Sequence, residues 1–480
     1  MREIFRVTTA AFILGLTSWS ASAQSAPPAS GKVWHDPSEE NLSKQLSALP
    51  DTKYPFDSSK IYTLPELIDL AEQHNPETRL AWQQAKVRAA SLGIARSALY
   101  PTVAAIALAN TTRTRVLFNS DFFRQTYGTF SPEIHLEYLI LDFGGRSGAI
   151  DAAKANLLAA DLAFNDTHRR IIFQVMSAYY RLLNAIGQRA AAEVSLRNAQ
   201  AVQEDAEARL NHGLATKPDV LEAQAATAQA QFDLQATIGG EEIARGDLAT
   251  VMGLPPDAAL QVEDISKLHM PGELADSVNI AIDRSFEQRP DLKERFARLQ
   301  AADAAIKQSR SSYFPSLSLS GNGGMARQYG KQDLLPQAYA SGETWDVDLA
   351  LKWTLFDGAR REHAIAEAKA AKAATRAEID SLRDEIANEV WAAYSNVKTA
   401  QRQQLAAAAL LVSADQSYAA ARESYSYGVR NLLDVVAAQK ALAQASSEDV
   451  SARAQLLLQS ASLAFETGDL ITVPPPKAGP

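Results

Sequence analysis

The sequence predicts a mainly α-helical protein with additional β-strands, built from two copies of one unit in which a β-hairpin lies between long helices. Three observations lead to this fold class. Residue patterns recur at a nearly constant distance along the 480-residue chain. Two long stretches, at about 147–211 and about 361–426, are rich in alanine and contain no proline. Between the helical stretches, apolar and polar residues alternate with a period of two, as they do in strands.

The internal repeat is the clearest feature of the chain. Pro76 and Pro101 recur at one common offset as Pro290 and Pro315. From Asp142 onward the offset is longer by a single position, so one insertion between Pro101 and Asp142 accounts for the change. The pairs at this second offset include Asp142/Asp357, Arg146/Arg361, Gly213/Gly428, Asp219/Asp434 and Gly253/Gly468. A match of glycines, prolines and aspartates at one register indicates a duplicated unit.

Domain boundaries follow from the repeat and from the composition of the two ends. The expected order is a signal peptide at 1–23, an extended N-terminal segment at 24–60, the first repeat at 61–254, a linker at 255–275, the second repeat at 276–468 and a proline-rich tail at 469–480. In the first repeat the β-hairpin is expected at about 101–141 and the helical hairpin at about 147–252. In the second repeat they are expected at about 315–356 and about 361–467.

The N-terminus has the three parts of a secretory signal peptide. Arg2 and Arg6 supply positive charge, an apolar run follows at 10–16, and Ala21-Ser22-Ala23 has the small-x-small pattern of a cleavage site. A short membrane anchor is the alternative, but the apolar run is too short to cross about 30 Å of hydrocarbon. The chain contains no cysteine, which excludes a lipid-modified N-terminal cysteine.

The predicted strands alternate in polarity. From Trp345 to Leu355 every odd position is apolar and every even position is small or polar. The counterpart in the first repeat alternates between Glu133 and Ile140. This pattern suits a membrane strand with a lipid side and a wet side, and it equally suits a soluble hairpin packed on a core. The segment Gly321-Asn322-Gly323-Gly324 is interpreted as a loop of the second hairpin.

Two long helices are predicted, at about 147–211 and about 361–426. At 1.5 Å per residue each would be a rod of roughly 100 Å, too long for one globular core. Such rods must pack side by side, as a coiled coil or a helical tube. Gly213 and Gly428 are expected to end the rods, because glycine favours the left-handed conformation of a helix C-cap.

The composition argues against several functional classes. A formal net charge of −9 does not favour binding to a nucleic-acid backbone. The seven histidines have no metal-ligand spacing, and no nucleophile or phosphate-binding motif is present. We therefore expect no enzymatic activity, no catalytic residue, no cofactor and no metal site.

Several motifs resemble those of the TolC-type outer-membrane efflux proteins, the outer membrane factor family. They are the paired proline sites, the segments 141–146 (LDFGGR) and 356–360 (FDGAR), and the two tips, in which Asp219-Val220 and Asp434-Val435 follow a glycine. The resemblance covers about residues 62 to 468. It implies a homotrimer with a 12-stranded β-barrel in outer-membrane lipid, continuous with a periplasmic α-helical barrel.

The resemblance also implies partners and a function. The partners would be a periplasmic adaptor (membrane fusion) protein and an inner-membrane transporter of RND, ABC or MFS type. The chain would be an exit duct of a tripartite efflux or type I secretion system in the outer membrane of a Gram-negative bacterium. Small molecules are the preferred cargo, and proteins remain open. The alternative from another class is a periplasmic coiled-coil scaffold or adaptor without a pore.

By the same resemblance, specific residues would close the periplasmic end. They are Tyr425, Arg430, Asp219 and Asp434, with Arg430 expected to pair with Asp219 and Asp434 to form a ring that favours cations. Two positions depart from the family pattern, because Ala208 stands where the tyrosine has a glutamine partner and Ala437 where a second aspartate is usual. Contacts to the adaptor would come from the hairpin tips, at Gly213, Leu214, Gly428 and Val429.

Overall fold

The computed structural model describes residues 39–48, 59–118, 121–263, 268, 270–272, 274, 277–333 and 335–470. The chain divides into two compact units between residues 56 and 57. The predicted fold class is confirmed, since the second unit contains two β-hairpins and two long antiparallel helical hairpins. Over the described residues, no helix is both long and apolar enough to cross a membrane. The predicted signal peptide lies outside these residues.

In the first unit, the expectation of an extended segment over 24–60 is wrong for residues Glu39–Ser47, which form helix α1. Leu42 and Leu46, one helical turn apart, share one side of this helix. Lys44 lies in its last turn, where a cation is favourable next to the unpaired helix carbonyls.

The two repeats have the same order of helices and long strands. The first repeat consists of β1 (Ile61–Tyr62), α2 (Leu64–His74), α3 (Pro76–Ser97), β2 (Thr102–Phe118), β3 (Asp121–Leu141), α4 (Gly145–Asn211) and α5 (Lys217–Val251). The second consists of α6 (Val278–Gln288), α7 (Pro290–Ser311), β5 (Ser316–Gln332), β6 (Ala338–Lys352), α8 (Arg360–Ser426) and α9 (Leu432–Thr467), and β4 (Gln261–Val262) lies before it, in the expected linker. The short strands β1 and β4 pair in parallel and connect the start of the first repeat to the linker.

The four long strands form one antiparallel sheet in the order β2-β3-β5-β6, with one apolar and one polar face. On β6, Trp345 and Val347 project from one face, and Trp345 is 78% exposed. Asp346 projects from the other face, where it accepts a hydrogen bond from the Asn322 amide (3.1 Å). The side-chain oxygen of Asn322 (Oδ1) lies 2.6 Å from Nδ1 of His135 on β3. The sheet therefore has a polar side and an apolar side, and among the described residues no helix or further strand covers the apolar side.

The interpretation of 321–324 as a loop is wrong, because these residues lie inside β5. The β3–β5 ladder has no pairing between Phe130 and Glu133. Pro132 falls in this gap, and proline has no N–H to donate. A Cβ on Gly324 would collide with the Pro132 carbonyl oxygen. Glycine is needed here for the close approach of two strands, not for a turn.

The two strand-to-helix junctions have the same construction. Arg146 pairs with Asp142 over 3.4 Å, and Arg361 pairs with Asp357 over 2.9 Å. Each arginine also donates to two backbone carbonyl oxygens: Arg146 to those of Ala98, at the end of α3, and Ile140, and Arg361 to those of Thr354 and Leu355. Two consecutive residues with positive φ precede each helix: Phe143 (48°) and Gly144 (104°), then Gly358 (67°) and Ala359 (64°). The repeated Asp and Arg thus fix the same sharp turn in both halves.

Helix α8 packs with the period of a coiled coil. Its buried side chains fall into two series spaced by multiples of seven residues, one of Ile379, Ile386, Ala393, Ala400, Ala407, Ala414 and Ala421, the other of Val390, Val397, Tyr418 and Tyr425. A period of 3.5 residues keeps one seam facing the neighbouring helices along the whole rod. This is the side-by-side packing that the length of the rods predicts.

The repeats differ at the start of α3 and α7. In the first repeat Asn75 precedes α3, where its side chain accepts from the Glu77 N–H (2.7 Å) and donates to the Val251 carbonyl (2.8 Å). In the second repeat the equivalent residue is Arg289, whose side chain is 5% exposed. It pairs with Asp291 over 2.7 Å.

The buried Arg289 guanidinium also reaches two carboxylates on other helices, Glu389 (2.6 Å) and Glu466 (3.0 Å). Burial and the neighbouring Glu389 carboxylate raise the pKa of Glu466 to about 7, against the lowering effect of Arg289 and Arg169. The three carboxylates and Arg289 therefore form one ionic cluster, of which the repeat marked only Pro290, which lies between Arg289 and Asp291.

Candidate functional site: the helical hairpin tips

The two helical hairpins end in turns with the same backbone geometry. Gly213 (φ +71°) follows α4, and Gly428 (φ +74°) follows α8. The next N–H in each turn folds back onto its helix, from Leu214 to the Arg209 carbonyl (2.8 Å) and from Val429 to the Ser424 carbonyl (2.9 Å). These are left-handed C-caps, as predicted for both glycines.

The first tip is closed by a capping box. Both the backbone N–H and the hydroxyl of Thr216 donate to Oδ2 of Asp219, each over 2.7 Å. These hydrogen bonds, the hydroxyl's first, hold the pKa of Asp219 below its usual range. Within the protomer, the Asp219 side chain therefore stabilises the N-terminus of helix α5 as the N3 residue of its capping box.

The second tip is capped differently. The Asn431 side chain accepts from the Asp434 N–H (2.9 Å), so the cap does not use the Asp434 carboxylate. Asp434 and Arg430 are both exposed. In the described part of the protomer, neither side chain has an ion-pair partner, and the pairing of Arg430 with Asp219 stays a prediction.

Tyr425, in the last turn of α8, is 9% exposed and belongs to the core of the tips. This core takes residues from all four long helices, among them Ala206 of α4, Val220 of α5, Ala421 of α8 and Leu432 of α9. The two hairpins are therefore joined at their ends by one apolar cluster, with the tyrosine ring inside it.

Arg209 also belongs to this site, although no motif in the sequence points to it. Its guanidinium lies 4.5 Å from the centre of the Tyr425 ring and donates to the Ser426 carbonyl oxygen (3.0 Å). Its neighbour Ala208 offers no polar side-chain atom. The sequence shows an arginine in the last turn of α4, but it does not show that this turn meets the last turn of α8.

The extreme ends of the tips carry exposed apolar side chains. Leu214 and Val429 occupy equivalent places after the two glycines, and Val429 is 79% exposed. Tyr427 and Leu433 extend the apolar surface of the second tip. Because exposed apolar groups clustered at one end of a molecule mark interaction surfaces, these tips are the candidate contact for another protein.

A family model and several known proteins match this chain over most of its length. A family model described as outer membrane efflux protein matches residues 67–254 and 281–469, one segment in each repeat. Protein CyaE of Bordetella pertussis is 28% identical over 425 residues, which cover 87% of this chain and 86% of that protein. The pyoverdine export outer membrane protein OpmQ of Pseudomonas putida is 27% identical over 458 residues, covering 92% of this chain and 91% of OpmQ.

The fold also matches a solved structure. The crystal structure of the CmeC outer membrane channel of Campylobacter jejuni superposes with a TM-score of 0.71 at 18% identity, covering 88% of this chain and 93% of that one. At this identity the likeness shows the fold.

Proposed function

Because this chain belongs to the outer membrane efflux protein family, whose members are outer-membrane exit channels of tripartite efflux and type I secretion systems, we propose that three copies form one continuous duct. Each copy would contribute four strands to a closed sheet of twelve in the outer membrane. The long helices would form a tube in the periplasm.

The observation that carries this proposal is the four-stranded sheet, which has two unpaired edge strands and an exposed apolar face among the described residues. Among the described strands, β2 and β6 each pair on one side only. Open strand edges with an apolar face are unstable in lipid and prone to aggregation in water. Joining β6 of one copy to β2 of the next would pair every edge and place the Trp345 face in lipid. The polar face with Asp346 and Asn322 would line the lumen.

The route to the membrane is part of the same proposal. Residues 1–23 would direct export and be removed, leaving a mature chain that begins at Gln24. A chain without cysteine cannot carry a thioether-linked lipid, so attachment would rest on the sheet. Mass spectrometry of the protein purified from outer membranes tests both points.

The partners would meet the hairpin tips. The exposed Leu214 and Val429, next to Gly213 and Gly428, would contact a periplasmic adaptor protein. The adaptor would connect the duct to an inner-membrane transporter of RND, ABC or MFS type. Small molecules are the proposed cargo.

Tyr425, Arg430, Asp219 and Asp434 would narrow the periplasmic entrance. Three copies of the exposed Asp434, one from each protomer, would form a carboxylate ring that favours cations. Asp434→Asn should therefore lower the cation preference measured from the reversal potential in a planar bilayer. Lys440→Gln on the same helix is the matched control. An unchanged reversal potential for Asp434→Asn would contradict the ring.

Extraction of the outer membrane with detergent tests the duct itself. We expect heat-resistant trimers in electrophoresis and discrete conductance steps after reconstitution of the purified protein. A soluble periplasmic monomer without conductance would support the coiled-coil scaffold instead.

A further inference from the structure

Five exposed basic side chains lie together at one end of the four-stranded sheet. They belong to three adjacent strands: Arg113 and Arg115 of β2, Arg124 of β3, and Arg327 and Lys331 of β5. The ladders pair Arg115 directly with Arg124 and place Thr126 between Arg113 and Lys331. Like charges directly opposite each other in a sheet destabilise it unless a counter-charge is present. This end of the sheet therefore favours an anion.

The basic side chains project from the apolar face of the sheet. Paired residues of neighbouring strands project from the same face, and successive residues of one strand alternate between the faces. Trp345 pairs with Gly323 of β5. Gly323 pairs with Ile134 of β3, which pairs with Ala105 of β2. The Trp345 face therefore carries the odd-numbered residues of β2, β5 and β6 and the even-numbered residues of β3 up to Tyr138, and all five basic residues are among them.

Two side-chain contacts support this assignment. Nε of Arg113 donates to Oγ1 of Thr126 over 3.0 Å, and the hydroxyls of Thr111 and Tyr329 lie 3.1 Å apart. The second contact crosses Gly128, where a Cβ would collide with the tyrosine ring. The Tyr329 ring therefore lies on the same face, among the basic residues. Aromatic side chains in this position are typical of the border between the apolar band of a membrane barrel and the lipid headgroups.

The height of the cluster matches the border of a membrane. Val103 is the first residue of the apolar face on β2, and Arg113 lies ten residues further along the strand. Leu317 and Arg327 of β5 are separated by the same number of residues. At about 3.3 Å per residue and a tilt of about 40°, ten residues rise about 25 Å, which is the height of the apolar band of a membrane barrel. The residues of this face in between are uncharged in both strands, so the cluster begins where hydrocarbon would end.

The duplication repeats this arrangement. The offset that relates Pro101 to Pro315 also relates Arg113 to Arg327. Each hairpin therefore has an arginine at the same place on its first strand. In a closed sheet made by three copies, these arginines would occur on every second strand around the whole circumference.

Positive charge is in excess on this face. At this end of the described strands, Asp333 pairs with Arg124 over 3.0 Å, and Glu343 is the acidic residue that β6 contributes to the same face. The other four basic side chains have no ion-pair partner within the part of the chain that the structure describes. The polar face at the same level carries neutral side chains such as Thr114 and Gln125. The excess charge is therefore directed toward the lipid side and not toward the lumen.

We propose that these five residues, the outward basic cluster, bind the phosphate groups of lipid A, the diphosphorylated glycolipid of the outer leaflet. The proposal rests on the proposed function, because only a sheet that spans the outer membrane places this end at the outer leaflet. Guanidinium groups form paired, charge-assisted hydrogen bonds to phosphate, and the tails of the same lipid would lie against the apolar face below. A lipid with two phosphates neutralises Arg115 and Arg124 together, whereas a zwitterionic headgroup does not.

Native mass spectrometry of the purified trimer measures this lipid binding directly. The probes are lipid A and the same lipid with both phosphates removed. The variant Arg113→Gln/Arg115→Gln/Arg327→Gln/Lys331→Gln leaves the pair of Arg124 with Asp333 in place. It should bind lipid A at least tenfold more weakly than the wild type does. Removal of the phosphates should weaken binding to the wild type by a similar factor and leave binding to the variant unchanged.

The matched control neutralises three arginines and one lysine at exposed sites of the helices: Arg88→Gln/Arg310→Gln/Arg402→Gln/Lys440→Gln. It should bind lipid A as the wild type does. Equal binding of lipid A by the wild type and the cluster variant, or an equal loss in both quadruple variants, would overturn the proposal. Displacement of lipid A by inorganic phosphate at the same concentration would also overturn it, because the cluster would then be a general anion site.

Single variants give a second measurement in case four changes impair assembly. Arg113→Gln and Arg327→Gln, at equivalent places of the two hairpins, should each weaken binding of lipid A severalfold, and added NaCl should weaken binding to the wild type. Wild-type trimers with discrete conductance but no preference for the phosphorylated lipid would overturn the role of the cluster and leave the duct intact. A monomeric wild type without conductance would contradict both proposals.

Discussion

The two repeats place different chemistry at equivalent positions where α3 and α7 begin. In the first repeat a neutral Asn75 reaches the backbone carbonyl of Val251. In the second, Arg289 and Glu466 occupy these two positions and form a buried ion pair. The local backbone is the same at both, since Asn75 (φ −63°, ψ 130°) and Arg289 (φ −60°, ψ 123°) are both extended and each is followed by the proline that begins the next helix. The backbone arrangement therefore does not require the charges, and the ionic cluster is a property added to the second repeat.

At the hairpin tips, too, the two repeats share the backbone conformation and differ in their side chains. Gly213 and Gly428 build equivalent turns. By contrast, the buried Tyr425 has only Leu210 as its counterpart. Both differences place the second repeat's charged or aromatic groups in contact with other helices. We infer that the duplicated residues specify the fold, while the residues that differ adjust stability and closure.

The largest expected change in the free energy of unfolding comes from removing the charge of Arg289, whose counterpart in the first repeat is the neutral Asn75. Arg289→Ala leaves the carboxylates of Asp291, Glu389 and Glu466 without their central cation. Breaking a buried ion pair by removing one partner costs about 4 kcal/mol. Asn75→Ala, the equivalent change in the first repeat, loses neutral hydrogen bonds and should cost about 1 kcal/mol.

Chemical denaturation followed by circular dichroism, with both variants in the same detergent, measures this difference in the free energy of unfolding. Arg376→Ala, at an exposed site of α8, controls for the loss of an arginine. Equal destabilisation by Arg289→Ala and Asn75→Ala would show that the two positions have the same role despite their chemistry.

A smaller effect is expected from pH. The pKa of Glu466 is about 7 in the folded chain, against 4.5 for an ordinary glutamate. Because folding raises this pKa, the contribution of Glu466 to stability is fully present below pH 4.5 and is lost as the pH rises through about 7. The melting temperature of the wild type should therefore fall as the pH rises from 4.5 to about 7. The part of this fall that Glu466 causes should be absent in Glu466→Gln.

The matched control for pH is Glu448→Gln, which changes an exposed carboxylate of the same helix α9. It should keep the wild-type dependence of melting temperature on pH. If Glu466→Gln and Glu448→Gln melt with the same pH dependence as the wild type, Glu466 does not titrate in this range.

Much of this fold can be predicted from the sequence because its determinants are local or repeated. Glycine, proline and aspartate favour turns through their own conformational preferences and local hydrogen bonds. Because the unit is duplicated, these turn residues occur at equivalent positions of both repeats. The interpretation of Gly321–Gly324 as a loop was wrong for a physical reason. Glycine also occurs where two strands approach closely, and the sequence does not show that Pro132 of the neighbouring strand lies against Gly324. Helix α1 was missed because so short a helix carries too few periodic positions.

Contacts between distant helices could not be predicted from one sequence. Arg209 and Tyr425 lie in different repeats, far apart along the chain, and Arg289 meets carboxylates from α8 and α9 only after the repeats have packed together. The family resemblance pointed to positions at the hairpin tips, yet Ala208 departs from the family pattern. The side chain that occupies this place is the next residue, Arg209, and it uses the tyrosine ring.

The most direct test of the account is the single-channel conductance of Tyr425→Leu. This change gives the second tip the residue that stands at the equivalent position of the first, Leu210, and removes the ring that Arg209 contacts. We predict small discrete steps for the wild type and clearly larger steps for Tyr425→Leu, with Leu210→Ala at the wild-type value. Equal steps for the wild type and Tyr425→Leu would contradict the claim that closure belongs to the second repeat.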